Sequence, residues 1–250
     1  MLRTEASQLR ALWAGLGLRR GQTVLCHTFL PSLGRVQPGP ETILDTLLEA
    51  IGDHGTFVAP TFTYSYFKSE IYDTEESPST VGLLGDLVRN RSGAVRSLDP
   101  NFSMAAIGPA AGTLMRRDTR NCLGPDSTFD KLIRGDTQVL LLGVDFTALP
   151  LFMHLEKMHN VDYRYDKRFT GRTRHNGTVF DDESIHYVRD EKRNPESLRS
   201  RAGGEIDLDS CCIQRQFGYG THRFVPAKTV VDVVARGLAK DKFFLIKTPV

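Results

Sequence analysis

Apolar positions along this chain follow two rhythms. Leu9, Leu12, Trp13 and Leu16 lie three and four residues apart, the spacing of one helical face, and Gly15 and Gly17 mark its end. Residues 23–27 (TVLCH) then form a short β-branched and apolar run suited to a buried strand. A second helix is predicted behind Pro40, with Ile43, Leu44, Leu47, Leu48 and Ile51 on one stripe and Gly52 as its stop. The alternation continues with a strand at 56–59 and a helix over 79–90 on Val81, Leu84, Leu87 and Val88, capped by Ser79 or Thr80. A strand at 103–107, a short helix at 127–134, a strand at 139–142 and a helix at 151–159 follow. From 163 to 188 the texture becomes alternating, as in solvated antiparallel strands. Residues 189–204 are strongly charged and carry Gly203-Gly204, which predicts a mobile loop. A helix on Val230, Val231, Val234 and Leu238 and a strand at 243–246 (FFLI) close the chain.

Strands alternating with helices predict an α/β fold with a central, mostly parallel sheet covered on both faces. The stretch from 163 adds an antiparallel extension, so the sheet is expected to be mixed. Repeats and low-complexity segments are absent, and residues 1–250 are read as one domain. With 32 basic and 30 acidic residues the net charge is +2, and no basic stripe marks a nucleic-acid binder. No apolar run reaches the ~20 residues of a membrane span. The apolar residues of the N-terminus are interrupted by Glu5, Gln8 and Arg10, unlike a secretory signal. Cys26, Cys122, Cys211 and Cys212 form no C-x-x-C, so reduced thiols and a cytoplasmic location are expected.

Several motifs fail on inspection. GLGLRRG (15–21) lies after a helix and before a strand, the reverse of a dinucleotide loop. His154-Leu155-Glu156 matches half of a zinc-deaminase signature but lacks P-C-x-x-C, so no metal is expected. No G-x-S-x-G elbow occurs, which argues against a serine hydrolase.

Three stretches remain. HTFLPSLG (27–34) leaves a buried strand, where loop amides can cradle a pyrophosphate. Residues 78–111 place Arg96, Ser97, Asp99, Asn101 and Ser103 between two core elements. Residues 140–160 end a buried strand at Gly143 and begin a helix with His154, Glu156 and His159, the position where open α/β sheets bind ligands.

Together these stretches resemble the aminoglycoside 3-N-acetyltransferase family. The family's strand-end H-[ST]-S-L-S-S-[LIM]-G is HTFLPSLG here, and its P-[ST]-x-x-G-x-L is PSTVGLL. Its R-[ST]-x-[HD]-P-x-x-S-x-x-x-x-G appears as RSLDPNFSMAAIG, its L-G-x-x-S as LGPDS (123–127), and its L-L-G-V…H-x-x-E element as LLGVDFTALPLFMHLE. FGYG (217–220) fits the C-terminal part more loosely. The resemblance implies a three-layer α/β/α sandwich unrelated to the GNAT fold. It implies acetyl transfer from acetyl-coenzyme A to a primary amine, with a His general base and no metal. Coenzyme A is then expected along His27, Thr28, Phe29, Leu30, Pro31, Ser32, Leu33 and Gly34, with Ser97 nearby. Tyr64, Asp73, Asp99 and Arg168 are the candidate acceptor contacts. The partner is a small-molecule amine, and a homodimer is possible on this reading.

The chain departs from the family where the base should stand. Aligned on Glu156, the His of His-x-x-Glu becomes Met153, and His154 comes one residue late. On a regular helix His154 and Glu156 point about 200° apart, so they cannot pair. His154 is the first candidate base and His159, spaced i, i+3 from Glu156, the second. Aminoglycosides are polycations that call for carboxylates, such as Asp73, Glu75 and Glu76, whereas 163–174 brings Arg164, Lys167, Arg168, Arg172 and Arg174. An amino sugar or natural-product amine is therefore preferred as acceptor. The alternative is an altered member that binds coenzyme A without acetyl transfer.

Overall fold

The computed structural model describes residues 2–190, 192 and 196–247. Its centre is a seven-stranded mixed sheet in the order Ile213–Phe217, Gly220–Pro226, Thr137–Leu142, Thr23–Thr28, Thr56–Pro60, Met104–Ile107 and Val95–Arg96. Only the middle three strands run parallel to one another; the four outer strands all pair antiparallel. The expectation of a mostly parallel sheet is corrected here. The hairpins at 213–226 and 95–107 supply antiparallel edges because their turns are too short for a parallel crossover.

The middle strands are near-continuous apolar runs because both faces are covered. Val24, Cys26, Leu140, Leu142, Phe57 and Ala59 enter one core, packed by helices Ala6–Leu16, Glu41–Ile51 and Leu83–Arg89. Leu25, Val139, Leu141 and Val58 enter the other, packed by Thr128–Arg134, Leu151–Met158, Arg199–Asp207 and Ala227–Lys240. Alternate residues serving opposite cores is the period-two geometry of a strand.

Four expectations about elements change. The helix expected over 79–90 begins only at Leu83, with Gly82 as its cap position, and leaves Val81 exposed. Residues 163–188 do not extend the central sheet. The hairpin Arg164–His175 and Thr178–Arg189 forms its own three-stranded sheet with Tyr72–Asp73. Of residues 189–204, expected to form a mobile loop, 199–204 lie in the helix Arg199–Asp207, and Gly203 lets this helix lie against Phe146; residues 191 and 193–195 of that stretch lie outside the described residues. FFLI at 243–246 is a turn with one bridging residue, its apolar side chains closing the core beside Ala227–Lys240.

Candidate active site

The strand Thr23–Thr28 delivers its last residues to the edge of the sheet, where the chain turns sharply. The Phe29 amide still donates to the Leu142 carbonyl at 2.7 Å, and a single 3₁₀ turn, Leu30–Leu33, follows. This turn is held by backbone approaching from two directions. Gly143 (φ 68°) sits against the Ser32 side chain, and the Tyr219 amide donates to the Ser32 carbonyl at 2.6 Å. A side chain at 143 or 218 would collide with Ser32 and Leu33, which is the physical reason for glycine there.

Two cavities open at the end of the strand Thr23–Thr28, one of them against this turn. The outer one, about 590 Å³, is walled by Phe29, Leu30, Pro31, Val36, Pro38 and Ile43, with Arg35 among its lining residues. The inner one, about 440 Å³, is lined mainly by Cys26, Ala59, Phe62, Tyr64, Leu84, Phe102, Val144 and Met153. Its lining residues with polar side chains are His27, Thr28, Tyr64 and Arg199, and no carboxylate lines it among the described residues. Thr28 and Val81 border both cavities, so the two meet at the strand end.

The loop's amides are less available than expected. Those of Phe29, Ser32 and Gly34 donate to the carbonyls of Leu142, Phe29 and Pro31, and Pro31 has none to offer. The turn thus presents side-chain and carbonyl surface more than an amide nest. Ser97 is not brought to either cavity: its hydroxyl accepts from the Met104 amide at 3.0 Å inside a separate crevice with Asp99, Cys122 and Ser127.

On the helix Leu151–Met158 the spacing argument holds in three dimensions. Met153 faces the inner cavity, and His154 points away toward Phe129 and Gly124 with 0% exposure. His154 Nδ1 accepts the Gly124 amide at 3.1 Å, and burial pushes its pKa down to about 4. The neutral ring therefore carries its proton on Nε2, an atom with no partner, and has no free lone pair for a substrate. His159 is exposed at the helix C-terminus and lines neither cavity. Glu156 is buried in an ion cluster: Arg164 lies at 2.8 Å, Arg199 at 3.6 Å, and the Tyr163 hydroxyl donates to it at 3.0 Å. Burial, with the Glu156 charge beside it, holds the Tyr163 phenol far above its usual range. His154 and Glu156, two of the candidate catalytic residues, are thus held by contacts of the fold, in separate environments.

The acceptor contacts divide. Tyr64 lines the inner cavity from a left-handed backbone (φ 55°), its ring edge-on to Phe102 at 5.6 Å. Asp73 lines neither cavity; its carboxylate accepts the Glu75 and Glu76 amides and pairs with Arg174 at 3.2 Å. Asp99 accepts the Asn101 and Phe102 amides at 2.9 and 2.8 Å and so shapes the turn that presents Phe102. Arg168 is exposed on the outer hairpin, paired with Glu183 at 2.6 Å. Sequence reasoning missed Arg199, which lay in the stretch taken for a loop, and missed Met153 and Phe102 as cavity walls. The periodicity of residues 151–158 was the available signal for Met153.

No group of three or more metal-ligating side chains occurs among the described residues, and no described helix is long and apolar enough to cross a membrane.

The family model described as aminoglycoside 3-N-acetyltransferase matches residues 25–239. Aminoglycoside N(3)-acetyltransferase VII of Streptomyces paromomycinus is 33% identical over 163 residues, which is 57% of this chain and 57% of that protein. The matched region therefore spans little more than half the length of that relative. Among solved structures, aminoglycoside acetyltransferase AAC(3)-Xa superposes with a TM-score of 0.84 at 23% identity, covering 95% of this chain and 93% of that one. A binary complex of AAC-IIIb with CoASH gives 0.82 at 20% identity, covering 96% and 97%.

Proposed function

This chain belongs to the aminoglycoside 3-N-acetyltransferase family, and from that premise we propose that it moves an acetyl group from acetyl-coenzyme A to a primary amine. The observation that carries this reading is the pair of cavities meeting at Thr28 and Val81. The outer cavity suits the pantetheine arm of the coenzyme, between Phe29–Pro31 and Val36–Ile43, with Arg35 available to its phosphates. Coenzyme A in the AAC-IIIb complex supports a coenzyme of this type. The inner cavity would then hold the amine where the thioester ends.

The acceptor proposed is an amino sugar or a natural-product amine rather than an aminoglycoside. A polycation needs carboxylates to replace its lost hydration. The lining of the inner cavity offers none, and its one charged group is cationic Arg199. Asp73, the carboxylate expected to form such a wall, is spent on Arg174.

A thermal-shift titration with coenzyme A tests the first half. Ligand at a hundredfold excess over its dissociation constant stabilises the fold by about 2.7 kcal/mol, which is several degrees in Tm. Absence of any shift at millimolar coenzyme A removes the coenzyme reading. An amine panel with thiol release as readout tests the second half, and faster turnover of kanamycin-like polycations than of amino sugars sinks the acceptor assignment. The position of Met153 favours one second reading, coenzyme binding without transfer; it is supported if the shift occurs and no amine in the panel is acetylated.

A further inference from the structure

We propose that His27 is the general base of this chain, taking over the proton transfer for which Met153 has no basic atom. The proposal rests on the acetyl-transfer reading above and names the residue that performs it.

Four histidines are buried: His27, His154, His186 and His222. Three are already engaged through a ring nitrogen. His154 Nδ1 accepts the Gly124 amide, His186 Nδ1 lies 2.9 Å from Cys122 Sγ, and His222 Nε2 lies 2.9 Å from the Phe217 carbonyl. His27 is different. Its Nε2 is buried with no hydrogen-bond partner, and neither ring nitrogen bonds to another described residue. A buried polar atom without a partner is uncommon and asks for an explanation, of which a ligand group is one. His27 is also the one histidine among the described residues that lines the inner cavity, and Met153 lines the same cavity. It sits next to Thr28, where the two cavities join and where the thioester must lie if the coenzyme occupies the outer one.

The titratable groups sharing the cavity are Cys26, Tyr64 and Arg199. Burial raises both the Cys26 thiol and the Tyr64 phenol, so neither ionises near neutrality. The guanidinium of Arg199 faces Glu156. Burial pushes His27 down to about 4, so the ring is neutral at physiological pH and keeps one unprotonated nitrogen for the amine, while the same burial weakens it as a base; the geometry, not this shift, carries the assignment. In the step proposed, the amine nitrogen bonds to the thioester carbonyl carbon and gives its surplus proton to a ring nitrogen of His27. The carbon–sulfur bond then breaks, and the thiolate takes that proton from the imidazolium. The products are the N-acetyl amide and free coenzyme A, with His27 neutral again.

The experiment compares His27→Gln and His27→Asn with His154→Gln, using thiol release for turnover and calorimetric titration for coenzyme A affinity. The two His27 variants are expected to lose about 10²–10⁴ in kcat, the usual contribution of a positioned base, while binding coenzyme A as the parent does. His154→Gln, whose amide oxygen can still accept from Gly124, is expected to keep the parental kcat. The parental pH–kcat profile is expected to hold its plateau well below 6.5, and free imidazole is expected to restore turnover to His27→Ala. A purely structural role for His27 would move neither the profile nor the rescue. Parental kcat in both His27 variants overturns the proposal, as does loss confined to His154→Gln. A parent that binds coenzyme A yet acetylates no amine overturns the transfer reading itself, and this assignment with it.

Discussion

Replacing Glu156 by glutamine separates its structural role from a catalytic one. Arg164 is 5% exposed at its side chain and Glu156 1%, so removing the carboxylate strands a guanidinium in the core. Breaking one partner of such a pair typically costs about 3–5 kcal/mol. Glu156→Gln should therefore lower the denaturant midpoint strongly while leaving coenzyme affinity per folded molecule intact. A stable variant with lost turnover would instead return Glu156 to the chemistry. At this scale the sequence was informative about direction and silent about company. The 100° step between neighbouring helical residues already told that His154 cannot share the face of Glu156, and the structure places them so. Nothing in the motif told that Arg164 and Arg199 would claim the carboxylate, because one arrives from the start of the next strand and the other from the later helix Arg199–Asp207. His27 was legible as part of a coenzyme motif; its lack of partners was not, since hydrogen-bond satisfaction is a property of the folded neighbourhood.

The short helix Thr128–Arg134 connects element formation to the site. Ser127 Oγ accepts from the Asp130 amide at 3.3 Å and donates to the Gly124 carbonyl at 2.7 Å, so one hydroxyl caps the helix and fastens the loop that holds His154. Loss of such a cap costs about 0.5–2 kcal/mol. Ser127→Ala should thus lower Tm by a few degrees, at roughly 2–4 °C per kcal/mol for a chain of this size. An unchanged Tm would mean that the loop is held by other contacts. Elements with strong apolar periodicity, such as Ala6–Leu16, Glu41–Ile51 and Thr137–Leu142, were readable because burial dictates their composition. Those with weak periodicity were not. Ile213–Phe217 is an edge strand with polar residues, so it carries no buried-strand signature. Arg199–Asp207 was masked by Gly203-Gly204, which favour turns locally but here allow close packing on Phe146. Pairing was the least legible feature. Alternation in 163–188 correctly implied antiparallel strands, but period alone does not say which sheet a hairpin joins.

For the molecule as a whole, the buried histidines set an acid limit to stability. Burial pushes His27 and His154 down to about 4 and His186 to about 3. In the unfolded chain each titrates near 6.5. Above that value both states carry neutral rings, and the contribution of these residues to stability is fully present. As pH falls below about 6.5 the unfolded chain binds protons that the fold refuses, and stability drops until the folded pKa values are passed. Each histidine then removes up to about 1.4 kcal/mol per pH unit. Three acting together remove about 4 kcal/mol per unit, a large part of the 5–15 kcal/mol by which domains are usually stable. The carboxylates act in another window: the hydrogen bonds of Arg116 and Lys131 hold Asp118 at about 2, so its loss is felt only in stronger acid. The expected result is a nearly constant Tm from pH 8 to 7 and a fall of roughly ten degrees by pH 5.5. Replacing the cavity histidine alone, as His27→Gln, should flatten that fall by about one third. A Tm that holds level from pH 7.5 to 5.5 would show that these rings take up protons inside the fold, and it would remove the physical basis for a His27 that stays neutral and able to accept a proton in mild acid.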